Sequence, residues 1–195
     1  WDIRFNWSLP NDDRREESRR VEHQTLEVVG SLPRSERERF FAAYEVTGLG
    51  LVAAAGRTLA LVRPRQPRFI IEPKTLSELD DERTERAALH AQVELFPVRR
   101  LVPLEPCPYR FKYAYRIDEG SREGTCEDWE TEATYFHWRN KYGEERALAD
   151  MRRMFGDQYP TEGMAFAMGT HSRFPDRWLI VGVLRFDEVH QAALL

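Results

Sequence analysis

The chain has 195 residues, of which 42% are hydrophobic and 32% charged, with a formal net charge of −4. That length suits one domain of moderate size, and eleven Phe, seven Tyr and five Trp exclude a disordered chain, because such aromatics supply large buried areas. The negative balance excludes a uniformly basic nucleic-acid binder, and two cysteines exclude a disulfide framework or a multi-thiolate zinc site.

Residues 1–10 alternate loosely through Trp1, Ile3, Phe5 and Trp7, which predicts a strand. They lack the basic-then-apolar pattern of a secretory leader. NDDRREESRR (11–20) reads as a solvated loop, TLEVVG (25–30) as a strand, and SLPRSERERF as a helical turn capped by Ser35. FFAAYEVTGLGLVAAAGRTLALVRP holds two apolar runs around Gly48, Gly50 and Gly56, predicting paired antiparallel strands that turn near Ala55-Gly56-Arg57. Its VTGLGLVAAAG is the longest uncharged stretch and falls well short of the roughly 20 apolar residues that cross a bilayer, so no membrane is expected. PRFIIEP is a short strand that Pro67 and Pro73 confine to an edge or an end.

Thr75 and Glu78 form a capping box ahead of good helix formers, predicting a surface helix with a thin apolar stripe at Leu79, Leu89 and Val93. LFPVRRLVPLEPCPY is proline-punctuated and extended. RFKYAYRI alternates cleanly, with Phe111, Tyr113 and Tyr115 on one face and Lys112, Ala114 and Arg116 on the other. Thr125 and Asp128 make a second capping box for a helix over about 127–142, its inward face drawn from Trp129, Ala133, Phe136 and Asn140. After Gly143 a further helix runs through Leu148, Met151 and Phe155 to Gly156. MAFAMGT and RWLIVGVLRF close the chain as a hairpin joined by HSRFPD. The sum is a single α+β domain over 1–195 with an antiparallel sheet and two or three helices. A β-rich portion (1–74) leads through a connecting helix (75–97) into a strand, two helices and a hairpin (98–195).

PYRFKYAYRI, then CEDWE, then MGTHSRFPDRWLIVGV resemble a family of uncharacterised bacterial proteins. That family shares a Pro-Tyr-aromatic strand, a later Asp-Trp-Glu, and a closing Gly-(Thr/Asn) turn with Pro and an apolar strand. The likeness spans roughly residues 58–186. Many members carry Cys and His shortly before Asp-Trp-Glu, whereas here the segment reads DEGSREGT. The resemblance implies a bacterial, cytoplasmic protein in the company of DNA-processing or phage-defence genes, with no established activity.

Two chemistries follow from residue types. Glu72 and Lys74 stand as Glu-x-Lys, the arrangement in which a carboxylate binds Mg²⁺ and lysine supports the attacking water, with Glu45 as an upstream acid. Asp128 and Glu130 offer a second carboxylate pair, but on a helix i and i+2 point away from each other, and Asp128 suits an N-cap. Five histidines without HxH or HExxH spacing leave no metal set. Against this, Arg63, Arg65, Arg68, Arg110 and Lys112 fall in two basic segments, 57–74 and 98–116, that form an electrostatic footprint if they share a face. They can also pair with the acidic segment 118–162. The expectation is a non-catalytic accessory protein of a nucleic-acid-processing or phage-defence assembly. It would bind a protein partner or nucleic acid without a cofactor; the alternative is a Mg²⁺-dependent nuclease.

Overall fold

The computed structural model describes residues 1–13, 15, 17–93, 105–171 and 174–186. Two short ribbons open the chain. The alternation of residues 1–10 breaks into β1 (Asp2–Arg4) and β2 (Trp7–Ser8), and the two take different partners. β2 pairs with β3 (Arg20–Val21), and β1 with β4 (Glu27–Gly30), both antiparallel. Their Trp1, Ile3, Trp7 and Val28 remain exposed.

The next segment departs from the expected strand pair. It forms α1 (Arg34–Ala42), whose N-cap is Pro33, so that Ser35 falls inside the helix and not at its cap, and α2 (Leu49–Ala54). Leu49 and Val52, three residues apart, bury one face of α2, and Gly56 at φ +72° ends it. The glycines admit a carboxylate: Gly50 N–H donates to Glu119 Oε1 at 2.7 Å, and a Cβ on Gly48 would collide with that side chain. Glu119 thus supplies the cap that the sequence around α2 lacks. Two apolar runs with glycines fit a hairpin equally well; the burial of Leu49 and Val52 together with this distant acid favours the helix.

From there the two main sheets assemble. β5 (Leu59–Val62) joins one, and β6 (Arg65–Pro73) the other. α3 (Leu76–Val93) starts with the expected capping box: Thr75 N–H donates to Glu78 Oε2 at 2.8 Å and Glu78 N–H returns to Thr75 Oγ1 at 3.3 Å. Residues 94–97 of the expected helix and the proline-punctuated stretch to 104 lie outside the described residues. β7 (Tyr109–Ile117) runs antiparallel between β6 and β8 (Gly120–Thr125). The second sheet is also antiparallel, with β9 (Met164–His171) between β10 (Phe174–Arg185) and β5. The two sheets meet where Cys126 bridges Ile180 and Glu127 N–H donates to Ile180 O at 2.8 Å.

Helices cover the first sheet. α4 (Trp129–Tyr142) and α5 (Glu144–Met151) continue into a π-helical stretch, Arg152–Gln158, and α6 (Tyr159–Glu162), ending at Gly163 with φ +97°. Gly156 therefore does not stop the helix; it lies within the π stretch, over Phe69. The wide turn has a local cause. Tyr159 N–H reaches back five residues to Met154 O. The next donor in that register would be Pro160, which has no N–H, so Phe155 O receives the Tyr113 hydroxyl instead, at 3.1 Å. Burial pushes the Tyr113 phenol far above its ordinary pKa and keeps it a donor.

The core is aromatic. Phe69 stacks on Phe111 and Phe155 at 5.7 and 5.2 Å, and Phe166 packs on Tyr113 and Tyr115 at 4.9 and 5.1 Å. Each such ring contributes roughly 1.5–3 kcal/mol through burial. The architecture is α+β with antiparallel sheets, as expected, although the helices exceed the two or three anticipated. No helix among the described residues is long and apolar enough to cross a membrane.

Tyr113→Phe keeps the ring and removes only the hydroxyl, leaving the buried Phe155 carbonyl without a donor. It is expected to cost about 1–3 kcal/mol in urea unfolding; an unchanged midpoint would show that another donor serves the π stretch.

Candidate functional site

The Asp-Trp-Glu motif divides into an anchor and an exposed residue. Asp128 Oδ1 accepts Glu130 N–H at 3.0 Å and caps α4, while Oδ2 accepts Val183 N–H of β10 at 2.9 Å. Both carboxylate oxygens are occupied, and the helix start is fastened to the second sheet. Thr125 stays in β8, so the expected capping box reduces to this single N-cap.

The anchor sets the rotation of α4. Thr131, Thr134 and Tyr135 face inward, with Trp138 partly buried beside them. Tyr135 meets Tyr109 edge-on at 5.4 Å, and both hydroxyls donate to Glu144 Oε1, at 2.9 and 3.1 Å. Of the expected inward face, Phe136 packs partly buried against the core, Ala133 is half-buried, and Trp129 and Asn140 face solvent. Trp129 is 70% exposed, and with Ala133, Phe136 and Asn140 it lines a predominantly apolar groove of about 410 Å³. The Arg139 guanidinium lies 5.0 Å over the Phe136 ring and rims the same groove. Helical spacing with Ala133, Phe136 and Asn140 points Trp129 to the core; its place directly after an Asp N-cap, ahead of the first inward turn, is the contrary signal in the sequence.

A second, more polar cavity of about 400 Å³ lies alongside, between α3, the β7–β8 strands and the start of α4. Arg86 and Glu132, paired at 3.1 Å, line both cavities. The pair is braced, since Glu132 Oε1 also accepts Cys107 N–H at 3.2 Å and Arg86 donates to Glu105 O at 3.1 Å. Lys74 reaches Glu82 at 2.6 Å. Cys107 and Cys126 line this cavity as free, buried thiols, and burial pushes both up to about 11. Neither is an activated thiolate at neutral pH.

The residues singled out for nuclease chemistry take separate partners. Glu45 pairs with Arg63 at 3.4 Å, Glu72 with Lys112 at 2.9 Å and Lys74 with Glu82, and Glu130 is exposed on α4. Among the described residues no group of three or more His, Cys, Asp and Glu side chains is arranged to hold a metal ion. The basic residues are brought closer together. In register, Arg68, Arg110 and Lys112 share the outer face of the β6–β7–β8 sheet with Arg116. Acids interleave with them: Arg110 pairs with Glu78 at 2.7 Å, Lys112 with Glu72 and with Glu123 at 3.0 Å, and Arg65 with Asp118 at 2.7 Å. The Arg110 guanidinium holds the Glu78 carboxyl down at about 2. Arg63 sits elsewhere, between Glu45, Glu38 and the rings of Phe41 and Phe186. Arg68 has no ion-pair partner among the described residues. Arg99 and Arg100 of the second basic segment, and Ser172 and Arg173 of the hairpin turn, lie outside the described residues.

A family model described as Domain of unknown function (DUF8757) matches residues 50–195. No curated protein and no solved structure matches the chain.

Asp128→Ala removes the cap and leaves Val183 N–H without its acceptor, so it is expected to cost about 2–4 kcal/mol in urea unfolding. Trp129→Ala is expected to stay within about 0.5 kcal/mol of the parent; equal losses from the two would mean that the indole is a core residue after all. A thiol reagent at pH 8 is expected to label neither cysteine in the folded protein and both after denaturation, and rapid labelling of the native chain would contradict the raised thiols.

Proposed function

The chain belongs to the DUF8757 family, whose function is unknown, and we propose that it acts by binding a partner protein rather than by catalysis, with the outer face of α4 as the docking surface. One observation carries this reading. Trp129 is 70% exposed in the first turn of a helix that Asp128 fastens through both its oxygens. A large, rigid indole held in water adds little to the fold, and such a side chain beside an apolar groove is a typical anchor of protein interfaces.

The ionisable groups support a non-catalytic role. Glu45, Glu72 and Asp128 are each engaged by a cation or by backbone N–H groups, and both thiols are disfavoured as nucleophiles. The Mg²⁺-dependent nuclease alternative needs those acids to converge, and their separate partners lend it less support. A protein partner is favoured over nucleic acid because Arg63, Arg65, Arg110 and Lys112 each have a carboxylate partner, which weakens the field that phosphates would meet. The setting is proposed from the sequence resemblance: a bacterial, cytoplasmic nucleic-acid-processing or phage-defence assembly. Two free cysteines suit a reducing compartment.

Panning a random dodecapeptide library against the immobilised chain is expected to enrich apolar peptides whose binding falls about tenfold or more on Trp129→Ala. Enrichment indifferent to that substitution overturns the proposal. Retention of mixed-sequence DNA or RNA that declines steeply with salt and with Arg68→Ala would move the function to the β6–β7–β8 face, and Mg²⁺-dependent cleavage lost in Glu72→Ala would restore the nuclease.

A further inference from the structure

The apolar groove and the polar cavity are neighbours separated by one ion pair, so a segment lying across the Arg86–Glu132 pair enters both. The balance of charge on the polar side is unequal. Among the described residues its lining carries five carboxylates, Glu82, Glu85, Glu127, Asp128 and Glu132, against Lys74, Arg86 and Arg110. Within that set Glu82 is matched by Lys74 and Glu132 by Arg86, while Asp128 is engaged by two backbone N–H groups. Arg110 turns to Glu78, outside the lining. Glu85 and Glu127 are left exposed and without an ion-pair partner among the described residues.

We infer that the occupant is a segment of a partner protein in which an aromatic or aliphatic anchor stands a few residues from an arginine or lysine. The anchor packs on Trp129 and Phe136, and the cation enters the neighbouring cavity toward Glu85 and Glu127. This rests on the α4 docking reading and adds the chemistry of the partner. The Coulomb sign follows from the lining: an acidic or phosphorylated segment meets two unanswered carboxylates, while a guanidinium or ammonium gains from them. The braced Arg86–Glu132 pair leaves those two acids available, because neither Arg86 nor Lys74 needs a new partner. The apolar groove supplies affinity and the acids supply selection.

The test uses the intact chain and a peptide recovered by the panning above, synthesised with a fluorescent label and measured by anisotropy at about 150 mM salt. Its sequence is expected to pair an apolar anchor with Arg or Lys. Replacing that basic residue by Gln, or substituting Glu85→Gln and Glu127→Gln together in the protein, is expected to weaken binding about three- to tenfold, with no further loss when both changes are combined. Both glutamates are exposed, so the protein variant is expected to unfold at the parent's urea midpoint. Enriched peptides that are acidic or indifferent to charge overturn the inference, as does unchanged affinity in the double variant. If Trp129→Ala still abolishes binding in that case, the docking surface stands and only the partner's charge falls. If no enriched peptide depends on Trp129, the docking reading itself fails. Self-association that disappears with Trp129→Ala would give the groove to a second copy of the chain and overturn a basic partner segment.

Discussion

Phe166 lies on β9, the middle strand of its sheet, and its ring packs on Tyr113 and Tyr115 of the other sheet. The two sheets are hydrogen-bonded to each other only at their margin, through Cys126, Glu127 and Ile180 among the described contacts. Side-chain packing must therefore do most of the joining, and it is done by rings. Tyr113 also meets Phe69, which stacks on Phe155 of the helical layer. One chain of aromatic contacts thus holds both sheets and the helices over them. Tyr113 is its midpoint and adds the one hydrogen bond that lets the helix bulge past Pro160.

At the edge of this core, Asp128 converts packing into position. Its two oxygens join the first turn of α4 to β10, and the rotation of the helix follows from that joint. Thr131 then turns inward against the Cys126 sulfur, 3.7 Å away, and Trp129 is left outside. A surface aromatic on a mobile element loses conformational freedom on binding; one on a pinned helix has little left to lose. Rigidity and exposure at one residue are what suit the groove to the docking role proposed for it.

The molecule also presents a charged face, and its chemistry runs the other way. Across β6, β7 and β8, Lys112 lies between Glu72 and Glu123, and Arg110 leans to Glu78 on α3. Paired charges at the surface stabilise little and project a weak field. They do position α3, whose described side chains bury only Leu79 and whose remaining ties include Lys74–Glu82 and Arg86–Glu132. Ion pairs here take the place of a wide apolar stripe, and one of them becomes the wall between the two cavities.

Local patterns were legible wherever one short stretch contained its own explanation. The alternation in YRFKYAYRI gave β7 and its buried face, Thr75 with Glu78 gave the start of α3, and the closing hairpin could be read from two apolar runs around a turn. The failures share a cause. α2 is favoured as a helix by Glu119, nearly seventy residues away, which caps it; the helix continues past Gly156 because Tyr113 and Phe69 receive it; Trp129 is outside because Val183 holds Asp128. The candidate site shows the same division. Asp-Trp-Glu stood out as a motif and Asp128 as a cap, yet the second acceptor role of Asp128 and the groove beside it depend on strands distant in the chain. Sequence by itself determined the α+β composition, the periodic strands and the caps that open α3 and α4, because those are settled within a few residues of backbone. Tertiary structure alone decided which aromatic faces water and which carboxylates keep an unanswered charge, because exposure and pairing are set by neighbours that the chain brings in from far away.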